Sequence, residues 1–461
     1  MRVADCLLGG IAVCAAALLC SAGSLRAAGP AKVTDPQDRQ VLEAFLGHVD
    51  KLPQRLSRDS CVKLAADEPE GYCWVIVPQL RMALTAWRLT GDPKHLDLFA
   101  SLVANMRAAL TNAPDGYLGW YGKPLELFRD PKRPQHKTDV IITSYTVAEA
   151  LCEFLEEVAA EPKLAEKHAG LRREWLDLIE NHLVAKWEKR GCAVDLGRGG
   201  VAFRTPLGLA PTKAHLTQPA NKHSKICRAY LALYRVTGKD AYMRMAVKVG
   251  TRFKRTLTLR DGHYEWNYWD PAGAWDIHPD KPKQWKHWIG VGHRGGYYSL
   301  SAQTAVALYH HGVVFDREDL GRFLKTQTAV CWNGDVDKPV WSRVDGTRHE
   351  KYMSGAYVCG ALTPFDEPLA KLLYGPAAQR ERLNGKDHPW RGGTVAAGWL
   401  EGKYVDLPKA RAGGPIHAEF GRRFLADKGN RAFHDALSFR VVEPGYRAPG
   451  TPAEMRPMPK E

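Results

Sequence analysis

Two stretches of the chain decide the fold. Met82–Leu110 reads MALTAWRLTGDPKHLDLFASLVANMRAAL, and Ala229–Leu257 reads AYLALYRVTGKDAYMRMAVKVGTRFKRTL. They carry one pattern 147 residues apart: Leu84 matches Leu231, Trp87 matches Tyr234 and Leu110 matches Leu257. Each is a helix, a short turn (Leu89-Thr90-Gly91-Asp92 and Val236-Thr237-Gly238-Lys239) and a second helix. Glycine is the residue that most readily takes the left-handed conformation closing a helix. A third hairpin runs from Ser299 to Trp332, with His310-His311-Gly312 at its turn, where the histidines read as solvated. Leu42, Phe45, Leu46, Val49 and Leu52 form another helical stripe, as do Ile226, Tyr230 and Tyr234. Val147–Val158 and Leu171–Leu183 read as two more helices. One hairpin cannot bury its apolar face alone, so copies must stack. The expected class is all-α: an α/α toroid, an incomplete barrel of helical hairpins, with little β structure. Open stacking would give a solenoid instead, and periodicity does not reveal closure. The best strand candidate is Thr394–Leu407, broken by glycines.

The first residues have the order of a secretory signal: Arg2, an apolar run from Leu7 to Cys20, then small residues through Ala28. The run is shorter than the roughly 20 residues a bilayer span needs. The expectation is a signal peptide over 1–28, a toroid over 35–440 and a disordered, proline-rich tail over 444–461. The protein is then secreted or periplasmic, with no transmembrane segment. Seven cysteines remain after such a signal, an odd number, and Cys61 and Cys73 are near enough in sequence to pair. Cys152, Cys227 and Cys359 read as buried small hydrophobes. No CxxC pair occurs, and neither a metal site nor a cofactor is expected. The formal net charge is +14. In an exported protein, that charge points to an acidic polysaccharide or an anionic surface rather than nucleic acid, unless it only aids solubility.

The long segments between hairpins are rich in aromatics, and long loops commonly carry function. Tyr117, Trp120 and Tyr121 lie in one. Trp266, Trp269, Trp275, Trp285 and Trp288 crowd another, where they suit stacking on sugar rings. The densest constellation is Glu265-Trp266-Asn267-Tyr268-Trp269-Asp270, followed by Gly292-His293-Arg294-Gly295-Gly296-Tyr297-Tyr298. Arg343-Val344-Asp345-Gly346, Arg348 and Tyr352 come later, and Asn221 and His223 stand at a helix start upstream. Trp-Asn-Tyr-Trp, Gly-His at a helix entrance, a helix ending in Gly312-Val313-Val314-Phe315, and Cys331-Trp332-Asn333-Gly334 together resemble α/α-toroid polysaccharide lyases of the alginate and glucuronan type. The likeness spans roughly 218–368 and extends to uronyl epimerase toroids. The chain departs from that pattern in the inserted segment Asp270–Lys286 and in Gly290-Val291-Gly292, which stands where an acidic pair would be expected.

The resemblance implies an exported lyase that cleaves a uronic-acid polysaccharide by β-elimination. Such chemistry must neutralise the substrate carboxylate, take the proton at C5 and protonate the leaving oxygen. Tyr352 then serves as the acid and is a candidate for the base, beside His293, with Asn221 and Arg348 or Arg294 on the carboxylate and Glu265 as a further catalytic candidate. His223, Arg294, Tyr297, Tyr298, Tyr268, Trp266, Trp269 and Arg343 would bind substrate. Asn221 could equally be a helix cap, and either Tyr297 or Tyr298 could pack in the core. The competing readings are a glycoside hydrolase, which needs two carboxylates (candidates Asp139, Glu265, Asp270 and Asp345), a uronyl epimerase, and a non-catalytic glycan-binding protein.

Overall fold

The computed structural model describes residues 30–292, 295–348, 358–376, 392–411, 414–437 and 439. The proposed signal segment, the tail from 444, and His293, Arg294 and Tyr352 lie outside the described residues. The helices that build the fold are α1 (Pro36–Val49), α2 (Val77–Thr90), α3 (Lys94–Arg107), α4 (Ile141–Ala159), α5 (Ala169–Asp177) and α6 (Ala220–Thr237). They continue with α7 (Asp240–Lys254), α8 (Gly295–His310), α9 (Arg317–Lys325), α10 (Glu367–Tyr374), α11 (Gly392–Glu401), α12 (Ala418–Ala426) and α13 (Lys428–Ala436). The two hairpin glycines do as their pattern requires. Gly91 (φ 68°) and Gly238 (φ 70°) are left-handed, and their N–H groups return to Trp87 and Tyr234, the matched positions of the repeat.

The helices form an α/α toroid in which α2, α4, α6, α8, the Gly360–Tyr374 segment and α11 make an inner ring. Helices α3, α5, α7 and α9 pack outside it. The register of the contacts shows that the inner helices run parallel. Arg81 and Arg88 of α2 meet Glu153 and Glu157 of α4. Further round, Glu149 and Glu156 of α4 meet Arg228 and Arg235 of α6. Then Arg228 and Arg235 meet Gln303 and His311 at α8. Closure comes from α11, which packs on both α1 and α2. Glu401 reaches Arg88, while Lys403 reaches Asp38 of α1 at 2.6 Å.

Two interiors result. Between the rings lies an apolar core that includes Phe45, Leu80, Leu151, Phe154, Trp175, Trp187, Tyr230, Tyr234 and Phe253. On the axis, inside the inner ring, lies a network of charges. Glu149 contacts Arg81 at 2.8 Å, Arg228 at 2.7 Å and Lys225 at 4.0 Å. Burial alone would raise its carboxyl, but Arg228, Arg81 and Lys225 outweigh that and hold it well below the ordinary range.

Several expectations need correction. Thr394–Leu407 is helical, running through α11 into a π turn at Gly402–Asp406. Gly402 serves close approach rather than strand breaking: a Cβ there would stand 2.2 Å from the Tyr374 hydroxyl. His310 and His311 are buried, because the chain leading into α12 covers them. Ile416 N–H donates to His310 Nδ1 at 3.2 Å, and the His417 ring lies 4.9 Å from that of His311. Cys61 and Cys73 are both free buried thiols rather than a pair. The β structure is short but organised, with a three-stranded sheet of β1 (Leu257–Arg260), β2 (His263–Trp269) and β3 (Gly290–Val291). Among the described residues, no helix is long and apolar enough to cross a membrane.

Removing one member of a buried ion network strands the others, at a typical loss of about 3–5 kcal/mol. Glu149→Ala should lower unfolding stability by that order, read as a fall in the urea midpoint at constant slope. A loss below about 1 kcal/mol would show that the axial charges do not hold the ring.

Candidate functional site

Because the inner helices are parallel, their N-termini gather at one end of the ring. The long loops gather there too, since each leads into an inner helix: Leu110–Val140 into α4, Gly191–Pro219 into α6 and Leu257–Gly292 into α8. Unpaired N–H groups and the positive ends of helix dipoles therefore converge on this mouth.

A concavity of about 430 Å³ opens between the starts of the inner helices. Its walls include Pro69 and Glu70, Phe128, Asp139, Thr205 and Gln218, with Lys222 on α6. Lys222 Nζ lies 2.8 Å from Glu70 Oε1, and the indole N–H of Trp74 donates to the same oxygen at 3.1 Å. Neither partner takes the second oxygen, Oε2. Asp139 is held differently. Lys186 and Arg190 (3.2 Å) both bind its Oδ2, and the Val140 N–H donates to Oδ1 at 2.9 Å. The concavity thus contains two carboxylates, each fixed by cations. The sequence reading listed Asp139 and missed Glu70.

Deeper on α6 stands a stripe of Asn221, Lys225 and Arg228, spaced i, i+4, i+7. Lys225 and Arg228 reach Glu149, so the stripe faces the axis. Asn221 is 2% exposed, and its side-chain oxygen has no hydrogen-bond partner. It therefore does not act as the cap of α6, a helix that has no side-chain cap. Burial, then the charge of Arg228, pushes the Lys225 amine down to about 8, against the pull of Glu149.

The remaining candidates divide. Tyr268 and Tyr297 form a half-buried aromatic wall, their rings 4.6 Å apart, with Trp288 stacked on Tyr268 at 5.6 Å. Trp266, Trp269 and Tyr298 are core residues instead of sugar platforms. Trp266 stacks on Tyr298 at 5.3 Å, and the Trp269 N–H is spent on the Thr217 carbonyl. His223 is buried too, and its Nε2 accepts the Phe203 N–H at 2.9 Å. Burial and Arg252 push its pKa down to about 3, so it is a neutral anchor for the strand at Phe203 rather than a substrate ligand. Glu265 Oε1 pairs with Arg260 at 3.0 Å on the β1–β2 sheet, and Glu265 does not line the concavity that holds Glu70 and Asp139. Arg343 braces its own turn through Thr347 at 2.7 Å, and Arg348 is exposed. A smaller concavity of about 290 Å³ adjoins His223, Arg252 and Asp270. There burial raises the Asp270 carboxyl against Arg252 and an Asn267 hydrogen bond. Among the described residues, no cluster of His, Cys, Asp and Glu could hold a metal ion.

No protein-family model matches the chain, and no curated protein does. Among solved structures it is similar to an inactive variant of an α-1,6-mannanase, GH76A of Salegentibacter sp. HEL1_6, in complex with α-1,6-mannotriose. The identity is 14% and the TM-score 0.40, over 73% of this chain and 89% of that one.

The depressed Lys225 has a thermodynamic signature. Its folded pKa, about 8, lies below the unfolded 10.5, so between these values the unfolded chain binds the extra proton and stability rises with pH. Measured against Lys225→Met, the wild-type protein should gain up to about 2 kcal/mol between pH 8 and pH 10. A flat difference would mean that this amine is not desolvated.

Proposed function

We propose that this protein is an exported glycan-cleaving enzyme that works at the mouth of its helical ring, with hydrolysis as the reaction. What carries the reading is that Glu70 and Asp139 line one concavity, at the point where the loops and inner-helix N-termini converge. Glycoside hydrolysis uses two carboxyl groups flanking the scissile bond. Glu70 suits the role that meets the glycosidic oxygen, because Lys222 and Trp74 hold Oε1 in place and leave Oε2 for a ligand. Asp139, fixed by Lys186 and Arg190, suits the second role, on the water or the sugar carbon.

A second reading, β-elimination on an acidic polysaccharide, is favoured by one observation: Lys225 and Arg228 stand on a stripe facing the axis, below the buried and unpartnered side-chain oxygen of Asn221. The two cations suit a uronate carboxylate, the Asn221 oxygen suits a sugar hydroxyl, and the converging helix ends favour negative charge. Tyr352, with His293 and Arg294, would complete this machinery.

Incubation with mannan, alginate, glucuronan and pectate separates the two. Hydrolysis should yield new reducing ends with no ultraviolet absorbance, whereas elimination adds the absorbance of an unsaturated uronate. Glu70→Gln should lower the hydrolytic rate by about 10²–10⁴ with thermal unfolding unchanged. A variant retaining more than about a tenth of the rate removes Glu70 from the mechanism, and an absorbance rise that tracks cleavage transfers the assignment to elimination.

A further inference from the structure

Beyond its N–H contact with Glu70, Trp74 offers a ring that neither reading has yet used. It sits in the middle of the π turn Tyr72–Ile76, which leads into α2. Its neighbours Tyr72, Cys73 and Ile76 are buried, yet Trp74 is 39% exposed. Single exposed apolar side chains are ordinary on protein surfaces. This one is also tied at its polar end, since the indole N–H donates to Glu70 Oε1, the oxygen that Lys222 binds from α6. The ring is therefore anchored at its polar end to Glu70, a wall residue of the concavity. π turns recur at functional sites because the wider turn redirects side chains.

We infer that Trp74 has two linked tasks, an inference that rests on Glu70 being the catalytic carboxylate. Its exposed face is a platform on which the apolar C–H face of a pyranose ring stacks, beside the bond to be cleaved. Its N–H is a positioning contact that fixes the Glu70 rotamer. Lys222 supplies the charge at Oε1, and Trp74 supplies the direction. An anchored aromatic face has little rotamer freedom left to lose when a sugar binds, which favours its use as a platform.

Trp74→Phe keeps a ring and deletes the N–H, whereas Trp74→Ala deletes both, so the two tasks separate. Mannan, alginate and glucuronan oligosaccharides are titrated calorimetrically into Glu70→Gln enzyme, alone and combined with each Trp74 substitution. With alanine, affinity should fall roughly three- to tenfold for the oligosaccharide that binds, and with phenylalanine it should stay within about twofold. With Glu70 intact, Trp74→Phe should lower kcat about tenfold while KM barely moves. Unchanged affinity in Trp74→Ala, or binding of none of the three oligosaccharides, overturns the platform. Unchanged kcat in Trp74→Phe overturns the positioning contact. Full turnover by Glu70→Gln would instead overturn the catalytic reading, and it leaves the affinity comparison standing on its own.

Discussion

Glu149 sits where three inner helices have to agree. Its carboxylate takes Arg81 from α2 and Lys225 and Arg228 from α6, while its own helix, α4, stands between them. A ring of parallel helices brings like-directed dipoles side by side, which is unfavourable unless something within compensates. The axis here carries paired acids and bases instead of apolar side chains. Arg81 holds Glu149 and Glu153, Arg88 holds Glu157 and Glu401, and Arg235 holds Glu156. An apolar axis would pack, but it would not specify which helix neighbours which. Charged pairs do, because a helix in the wrong slot would leave a desolvated charge unpaired.

The same geometry decides where ligands can bind. Parallel inner helices put every long loop entering them at one end, and that end holds the concavity, the aromatic wall of Tyr268 and Tyr297, and the Asn221 stripe. The opposite end is closed by α12. Gly421 is required there, since a Cβ would stand 1.7 Å from the His311 carbonyl. Among the described residues, α12 packs against one end of the ring, and the concavity lies at the other.

Hairpins and class were legible because the repeat is periodic and its glycines are positional. Gly91 and Gly238 announce helix ends from sequence alone. Closure was not legible, because it depends on Arg88 finding Glu401 and Asp38 finding Lys403 across most of the chain. The tryptophan-rich segment misled for a physical reason: a bulge between Asn267 and Trp269 breaks the strand's alternation. Trp266 and Trp269 are both buried, in two separate apolar clusters, while Tyr268 between them stays half-buried. His223 and Glu265 have the residue types that chemistry needs, but His223 Nε2 is taken by Phe203 and one Glu265 oxygen by Arg260, away from the Glu70 concavity. Glu70 escaped because it belongs to no motif. A signal was present, since residues just before each inner helix, such as Glu70, Asp139 and Gln218, meet at the mouth once the hairpins are aligned.

The central question is where a sugar sits. A crystal structure of the Glu70→Gln variant soaked with an oligosaccharide that it binds tests this most directly. Sugar rings should lie across the inner-helix mouth, one of them over Trp74, with a glycosidic oxygen within hydrogen-bonding distance of the side chain at position 70. Sugar bound on the outer helices, or in the smaller concavity beside Asp270 with the Glu70 concavity empty, would contradict it.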